Sequence, residues 1–149
     1  MIALHLPGAL GERIAAEARR AFPRECCGLL EGATDGKRIT VVAAHPARNL
    51  SERPDRFEID PADHFRLLRG AREQGNAIIG CYHSHPGGQA EPSPRDREGA
   101  GEAGFVWLIA AVPPEGPAAL AAYLFDGTMF LPLEISGAGS LDPAAASIV

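Results

Sequence analysis

Apolar and polar positions in the first part of the chain predict both strands and helices. Residues 1–6 form an apolar segment of strand length, and apolar side chains then recur at helical spacing over residues 10–22. Pro23 should end this helix, because proline disfavours helical geometry in the residue before it. Residues 26–30 predict a short buried strand that ends at Gly32.

The middle of the chain predicts a further strand, a loop, a helix and a strand. Residues 39–44 should form a hairpin with the preceding strand, and the polar residues 45–58 predict a loop. Asp60–Pro61 supply an N-cap and a first-turn proline for a helix that should end at Gly75. The apolar residues 77–82 then predict another strand.

The last third of the chain predicts three strands and a tail. Residues 105–112 form a continuous apolar strand, and residues 120–125 and 129–135 should pair around an Asp-Gly dipeptide typical of hairpin turns. The sequence therefore predicts one domain over residues 1–135 and a frayed tail of small residues over 136–149. Helices that alternate with strands, together with the closing hairpin, predict an α/β fold with a mixed β-sheet flanked by helices.

Composition narrows the class of protein and of partner. The chain has 149 residues, of which 46% are hydrophobic and 22% charged, as is typical of one globular domain. A net charge of -5 argues against nucleic-acid and anionic-membrane partners, and no apolar stretch approaches the roughly 20 residues of a membrane span. An odd count of three cysteines argues against a disulfide framework, so we expect a cytoplasmic protein.

Two histidines directly follow the strand predicted over residues 77–82. Alternate side chains of a strand share a face, so His83 and His85 should project together, and Asp96 is the nearest carboxylate that a returning loop could add. A catalytic zinc ion takes three such nitrogen and oxygen ligands and keeps its fourth position for water. The pattern therefore predicts one zinc ion that supplies hydroxide near neutral pH.

The same residues also have purely structural interpretations. Ser93 and Asp96 have the spacing of a helix capping box, with Pro94 at the first helical position. A His-x-His pair is also found in proteins without a metal, as partly buried histidines. The cap and the metal site are compatible, since a fixed helix start would orient the Asp96 carboxylate.

A metal hydrolase also needs a proton-transfer group and a donor to the developing oxyanion. Glu25 begins an apolar strand, where a charge is costly unless it has a partner or a task. A salt bridge to Arg24 is its structural alternative. Ser93 has a hydroxyl close to Asp96 that could donate to a substrate carbonyl, with the helix cap as its alternative. Glu25 and Ser93 are therefore the candidate catalytic residues.

Three segments together resemble the JAMM metalloprotease family, also called MPN or Mov34. The family pattern has a glutamate in a P-x-E-x-C-G-like strand, then H-[ST]-H-P, seven residues, a serine, and an aspartate three positions later. The matching segments are Pro23–Gly32, Gly80–Pro86, and Ser93 with Asp96. The resemblance covers residues 1 to about 135, with Cys81 in place of the tryptophan that many relatives have.

The resemblance implies a cytidine-deaminase-like sandwich, the JAMM/MPN fold, with one zinc ion bound by His83, His85 and Asp96. It implies a protease that hydrolyses peptide or isopeptide bonds after the C-terminal Gly-Gly of a ubiquitin-like protein. Glu25 would activate the water and carry its proton to the leaving amine, and Ser93 would stabilise the oxyanion. The short chain is similar to stand-alone prokaryotic members, some of which act on sulfur-carrier proteins.

Other functions stay open from the sequence alone. One is a non-catalytic MPN-type protein-binding module whose metal is structural. Another is a zinc hydrolase of a small substrate such as a deaminase, although the C-x-x-C of cytosine deaminases is missing. Zinc ligation by cysteines is a poorer hypothesis, because Cys26 and Cys27 are neighbours on one strand and point to opposite faces.

Overall fold

The computed structural model describes residues 2–53 and 56–137, and a seven-stranded sheet forms the centre of this part of the chain. In chain order the elements are β1 (Ala3–His5), α1 (Gly8–Ala21), β2 (Cys27–Asp35), β3 (Arg38–Ala47), α2 (Pro61–Glu73), β4 (Ala77–Pro86), α3 (Pro94–Gly99), β5 (Phe105–Val112), β6 (Ala119–Phe125) and β7 (Phe130–Ser136).

The strands follow one another around a closed barrel in the order β1, β3, β2, β4, β5, β6, β7. β1 is parallel to both β3 and β7, and β4 is parallel to β5, whereas the remaining neighbours are antiparallel. The mixed α/β sheet flanked by helices is therefore confirmed. The resemblance implies a sandwich, whereas the strands pair into a closed barrel. β1 closes it by pairing with both β3 and β7.

Two hydrophobic clusters lie on the two faces of the sheet. One contains Ile14 and Ala18 of α1 together with alternate residues of the strands, such as Val106 and Leu108 of β5. The other lies on the opposite face, beneath α2, and contains Leu29, Leu67, Cys81, Trp107 and Phe125. This second cluster forms the floor beneath the candidate site.

Several predicted elements end at different residues in the structure. β2 continues past Gly32 to Asp35, with a register shift between Glu31 and Gly32 in its pairing with β3. A Cβ atom on Gly32 would lie 1.9 Å from the carbonyl oxygen of Thr40, so this glycine permits a close backbone approach and does not end the strand. β3 likewise continues to Ala47, so the polar loop is shorter than predicted.

The predicted domain boundary at residue 135 falls in the last strand. β7 ends at Ser136, whose carbonyl accepts a hydrogen bond from Leu6 at 2.8 Å. Most of the predicted tail, residues 138–149, lies outside the described residues. Within the described ranges, none of the helices combines the length and the apolar character that a membrane crossing requires.

Candidate metal centre

The C-terminal end of β4 carries the two histidines of the site. β4 runs without a break from Ala77 to Pro86, so it includes the H-S-H-P segment. His83 is completely buried, and its Nε2 atom lies 2.9 Å from the Nε2 atom of His85. The strand alternation therefore places both imidazoles on one face, as the sequence predicted.

The short helix α3 brings Asp96 to these imidazoles. Its start is a complete capping box: Ser93 Oγ accepts from the Asp96 amide at 3.1 Å, and the Ser93 amide donates to Asp96 Oδ2 at 2.8 Å. Asp96 Oδ1 lies 3.0 Å from His83 Nε2, and Oδ2 lies 3.1 Å from His85 Nε2. The cap thus orients the carboxylate toward both histidines. Asp96 can therefore belong to the capping box and also serve as a metal ligand.

The donor set fits a zinc ion. One ligand atom from each of His83, His85 and Asp96 lies within 4.8 Å of the others. Two imidazole nitrogens and a carboxylate match the three-ligand sets of catalytic zinc sites, which leave a coordination position open. Among residues 2–53 and 56–137, the structure brings together no other group of three or more metal-type ligands.

Local electrostatics favour the neutral form of His83 and the ionised form of Asp96, whereas hydrogen bonds to Asp96 and Gln89 raise the pKa of His85 against the effect of its burial. Burial lowers the pKa of His83, even though the adjacent Asp96 carboxylate opposes this, so the neutral imidazole is favoured. Burial alone would raise the pKa of Asp96, but hydrogen bonds from both imidazoles and from the Ser93 amide hold it well below its ordinary value. Asp96 is therefore a carboxylate across the physiological range.

Hydrogen bonds around the site fix the orientation of His85. Its Nδ1 atom donates to the carbonyl oxygen of Gln89 at 2.8 Å, because a carbonyl can only accept. In a neutral imidazole with its proton on Nδ1, the Nε2 lone pair would be available to a metal, in place of the hydrogen bond from Nε2 to Asp96 Oδ2. The segment carrying Gln89 is held in turn by Tyr123, whose hydroxyl donates to the carbonyl of Ala90 at 2.6 Å.

Aromatic rings enclose His83 on two sides. The Phe57 ring stacks on the imidazole with a centroid distance of 4.3 Å and an interplanar angle of 22°. The Trp107 ring approaches edge-on at 5.7 Å and 88°. Sequence analysis missed Phe57, although an aromatic residue in an otherwise polar loop is a usable signal.

The two candidate catalytic residues line the same cleft as His85 and Asp96. This cleft has a volume of about 1230 Å³, and Glu25, Ser93, His85 and Asp96 are among its lining residues. Glu25 is only 8% exposed, and its negative charge contributes to raising the pKa of His85, which lines the same cleft. The structure thus brings all of the sequence-predicted site residues together.

The cysteines do not join the metal ligands. All three are free and buried, and burial raises the pKa of Cys26 to about 11 and that of Cys27 to about 12. Thiols with such pKa values stay protonated near neutral pH and are poor nucleophiles and poor ligands. Burial likewise raises the pKa of Cys81.

Comparisons with known proteins converge on one family. A family model described as prokaryotic homologs of the JAB domain matches residues 7–123. The chain is 36% identical over 115 residues to the desampylase of Haloferax volcanii, covering 76% of this chain and 78% of that protein. It is 32% identical over 96 residues to the probable TtuB-protein conjugate cleaving protease of Thermus thermophilus, covering 64% of this chain and 62% of that protein.

A solved structure shares the fold of the chain as well. The solution structure of a protein from Desulfitobacterium hafniense superposes with a TM-score of 0.79 and 31% sequence identity. The superposition covers 89% of this chain and 91% of that chain.

Proposed function

Because the chain belongs to the stand-alone prokaryotic JAMM/MPN peptidases, the prokaryotic homologues of the JAB domain, we propose that it cleaves conjugates of a ubiquitin-like or sulfur-carrier protein. The scissile bond is the peptide or isopeptide bond after the C-terminal Gly-Gly of that protein. The observation that carries the proposal is the convergence of His83, His85 and Asp96 beside a cleft that His85, Asp96, Glu25 and Ser93 line. The relative named for cleaving TtuB–protein conjugates supports the substrate class.

His83, His85 and Asp96 are the residues that would hold one zinc ion. Bound zinc would act as a Lewis acid toward the scissile carbonyl and would make water nucleophilic near neutral pH. The protein supplies a neutral imidazole at His83 and a carboxylate at Asp96, and it fixes both by burial and by hydrogen bonds.

Glu25 is the proposed general base and acid. Glu25 is nearly buried and lines the cleft together with His85 and Asp96, where its carboxylate would accept the proton of the attacking water. The same carboxyl group then donates this proton to the leaving amine, which otherwise would depart as a poor anionic leaving group. One residue therefore serves both proton transfers.

Ser93 is the proposed donor to the oxyanion. Its hydroxyl oxygen accepts from the Asp96 amide through a lone pair, and this leaves the O–H hydrogen able to donate. A substrate carbonyl that approaches the ligands would come within reach of this hydrogen. Ser93 thus both caps α3 and stabilises the developing negative charge.

Intact-mass measurement of cleavage tests the proposed function. The substrate is a ubiquitin-like sulfur carrier extended beyond its Gly-Gly, compared with a carrier that ends in Ala-Ala and with a lysine-linked conjugate. Zinc-loaded wild type should release the extension, whereas Glu25→Gln and Glu25→Ala should bind one zinc equivalent and lose at least about 100-fold in turnover.

The outcomes separate mechanism from substrate. Full turnover by Glu25→Ala would remove Glu25 from the mechanism. Wild type that binds one zinc equivalent yet cleaves none of the carriers would overturn the substrate class. The three buried free cysteines are in keeping with the reducing cytoplasm in which we propose that the enzyme works.

A further inference from the structure

Asn49 uses all of the hydrogen-bonding capacity of its side-chain amide. Its Nδ2 atom donates to the carbonyl oxygen of Glu25 at 3.0 Å and to that of Arg56 at 3.1 Å. Its Oδ1 atom accepts from the backbone amides of Ser51 at 2.9 Å and Glu58 at 3.0 Å. An amide offers two donor hydrogens and two acceptor lone pairs, so all four are satisfied.

One of these four bonds holds the main chain of the proposed base. The peptide unit between Glu25 and Cys26 accepts from Asn49 at its oxygen, and at its nitrogen it donates to Ser84 Oγ at 2.8 Å. Ser84 is fully buried, and in the sequence of β4 it stands between His83 and His85. Side chains from two different parts of the chain therefore hold this one peptide unit from opposite sides.

Strand pairing alone does not hold the Glu25 main chain. β2 begins at Cys27, so Glu25 lies outside the regular ladder of the barrel. A proton-transfer group must lie within about 0.5 Å of its productive position, and an error of about 1 Å can reduce the rate by about 100-fold. The bond from Asn49 reaches the Glu25 carbonyl itself, and it adds to the backbone bond by which the Ser84 amide of β4 donates to the Cys26 carbonyl at 3.2 Å.

The same side chain organises the loop between β3 and α2, which carries Phe57. Leu50 donates to the carbonyl of Glu58 at 2.8 Å, and Asn49 pairs with Ile59 in an isolated bridge. Phe57 from this loop stacks on His83. Asn49 thus links the base and the loop that encloses the metal ligand.

We propose that Asn49 is a positioning residue for hydrolysis, which sets the main chain of Glu25 through its Nδ2 atom. This inference rests on the proposed function of Glu25. In this role Asn49 contacts neither the substrate nor the metal. The Nδ2 end of its amide is essential, because only a donor can bond to the Glu25 carbonyl.

Two substitutions of Asn49 separate its donor role from its role in the loop. Asn49→Ala removes all four hydrogen bonds. Asn49→Asp keeps oxygens that can accept from Ser51 and Glu58, but it cannot donate to Glu25 or Arg56. Ser51→Ala is the matched control, because it removes the Ser51 Oγ bond to the Arg53 amide in the same loop without touching Glu25.

The experiment measures steady-state hydrolysis by the zinc-loaded full chain and the hydrogen exchange of the Cys26 amide by NMR. Both Asn49 variants should lose about 10- to 100-fold in kcat, with KM and zinc affinity within about threefold of wild type. In both, the Cys26 amide should exchange faster. Ser51→Ala should keep kcat within about twofold.

Each alternative result overturns the proposal. An Asn49→Asp enzyme as active as wild type, beside an impaired Asn49→Ala, would limit Asn49 to holding the loop. An active Asn49→Ala beside an impaired Asn49→Asp would attribute the loss to the added charge. Loss through KM alone would also contradict positioning of the base.

The exchange measurement keeps this test independent of the proposed function. If wild type binds zinc but does not hydrolyse the conjugates, the proposed function fails on that result. Unchanged hydrogen exchange of the Cys26 amide in both variants would then overturn the inference about Asn49. Faster exchange would support the inference that Asn49 fixes the peptide unit between Glu25 and Cys26.

Discussion

The Nε2 atoms of His83 and His85 face each other at 2.9 Å, and one carboxylate oxygen of Asp96 lies close to each of them. Two imidazole nitrogens at this distance can share only one proton. The group therefore has the donor atoms and the spacing that could hold a divalent cation.

Cobalt binding can be followed through the single tryptophan of the chain. Trp107 lies 5.7 Å from the His83 ring, and Co²⁺, which also accepts nitrogen and oxygen ligands, quenches nearby indole fluorescence. We expect saturable quenching at one equivalent. His85→Ala should weaken binding by at least about 100-fold, whereas His64→Ala, which changes another histidine of the cleft, should not. Equal quenching in both variants would contradict the ligand set.

Removal of the metal should leave a folded, inactive protein. Both hydrophobic clusters consist of side chains other than the three metal ligands, so their burial stabilises the fold independently of metal binding. Zinc at about 100 times its dissociation constant stabilises a protein by about 2.7 kcal/mol, so a chelator should lower Tm by about 5–10 °C. Circular dichroism checks this expectation. Unfolding of the apo protein would instead favour the binding module with a structural metal.

Glu31 should make stability depend on pH away from the metal site. Burial tends to raise the pKa of Glu31, but hydrogen bonds from His45 at 2.9 Å and Asn76 at 2.8 Å lower it overall. A carboxylate with a lowered pKa stabilises the fold above its unfolded pKa, and this contribution is lost as pH falls through the folded pKa.

Urea unfolding of Glu31→Gln measures this effect. At pH 7 the variant should be about 1–2 kcal/mol less stable than wild type, since hydrogen bonds to a charged group are lost. The difference should shrink as the pH falls below the ordinary glutamate value. A difference that is constant from pH 7 to pH 3 would show that ionisation of Glu31 has no part in it.

Two glycines should respond to alanine in opposite directions. A Cβ atom on Gly80 would lie 2.2 Å from the carbonyl oxygen of Val106, where β4 and β5 pair, so Gly80→Ala should destabilise the protein by at least about 2 kcal/mol. Gly70 is exposed in α2 with open space around it, so Gly70→Ala should stabilise by about 0.5–1 kcal/mol. Thermal unfolding of both variants checks the contrast.

Local patterns in the sequence predicted much of the fold and of the site. The apolar run at residues 105–112 became β5 with the same bounds, and Asp60 caps α2 as expected, with its Oδ1 atom accepting from the Ala62 amide. His83 and His85 share a face because strand side chains alternate, and the capping box at Ser93 follows from a three-residue spacing. All of these depend on interactions between residues that are close in sequence.

Contacts between distant segments could not be predicted in this way. β1 closes the barrel because it pairs in parallel with both β3 and β7, which no local pattern encodes. Phe57 and Asn49 belong to a polar segment that predicts only a loop, yet they contact His83 and the Glu25 main chain.

The sequence by itself thus determined the elements, the ligand types and the family resemblance, since periodicity, capping and motif spacing are local properties. Only the tertiary structure decided how the strands close, that Phe57 stacks on His83, and that Asn49 bonds to the main chain of Glu25. A side-chain hydrogen bond or a ring stack across tens of residues depends on where the whole chain places both partners.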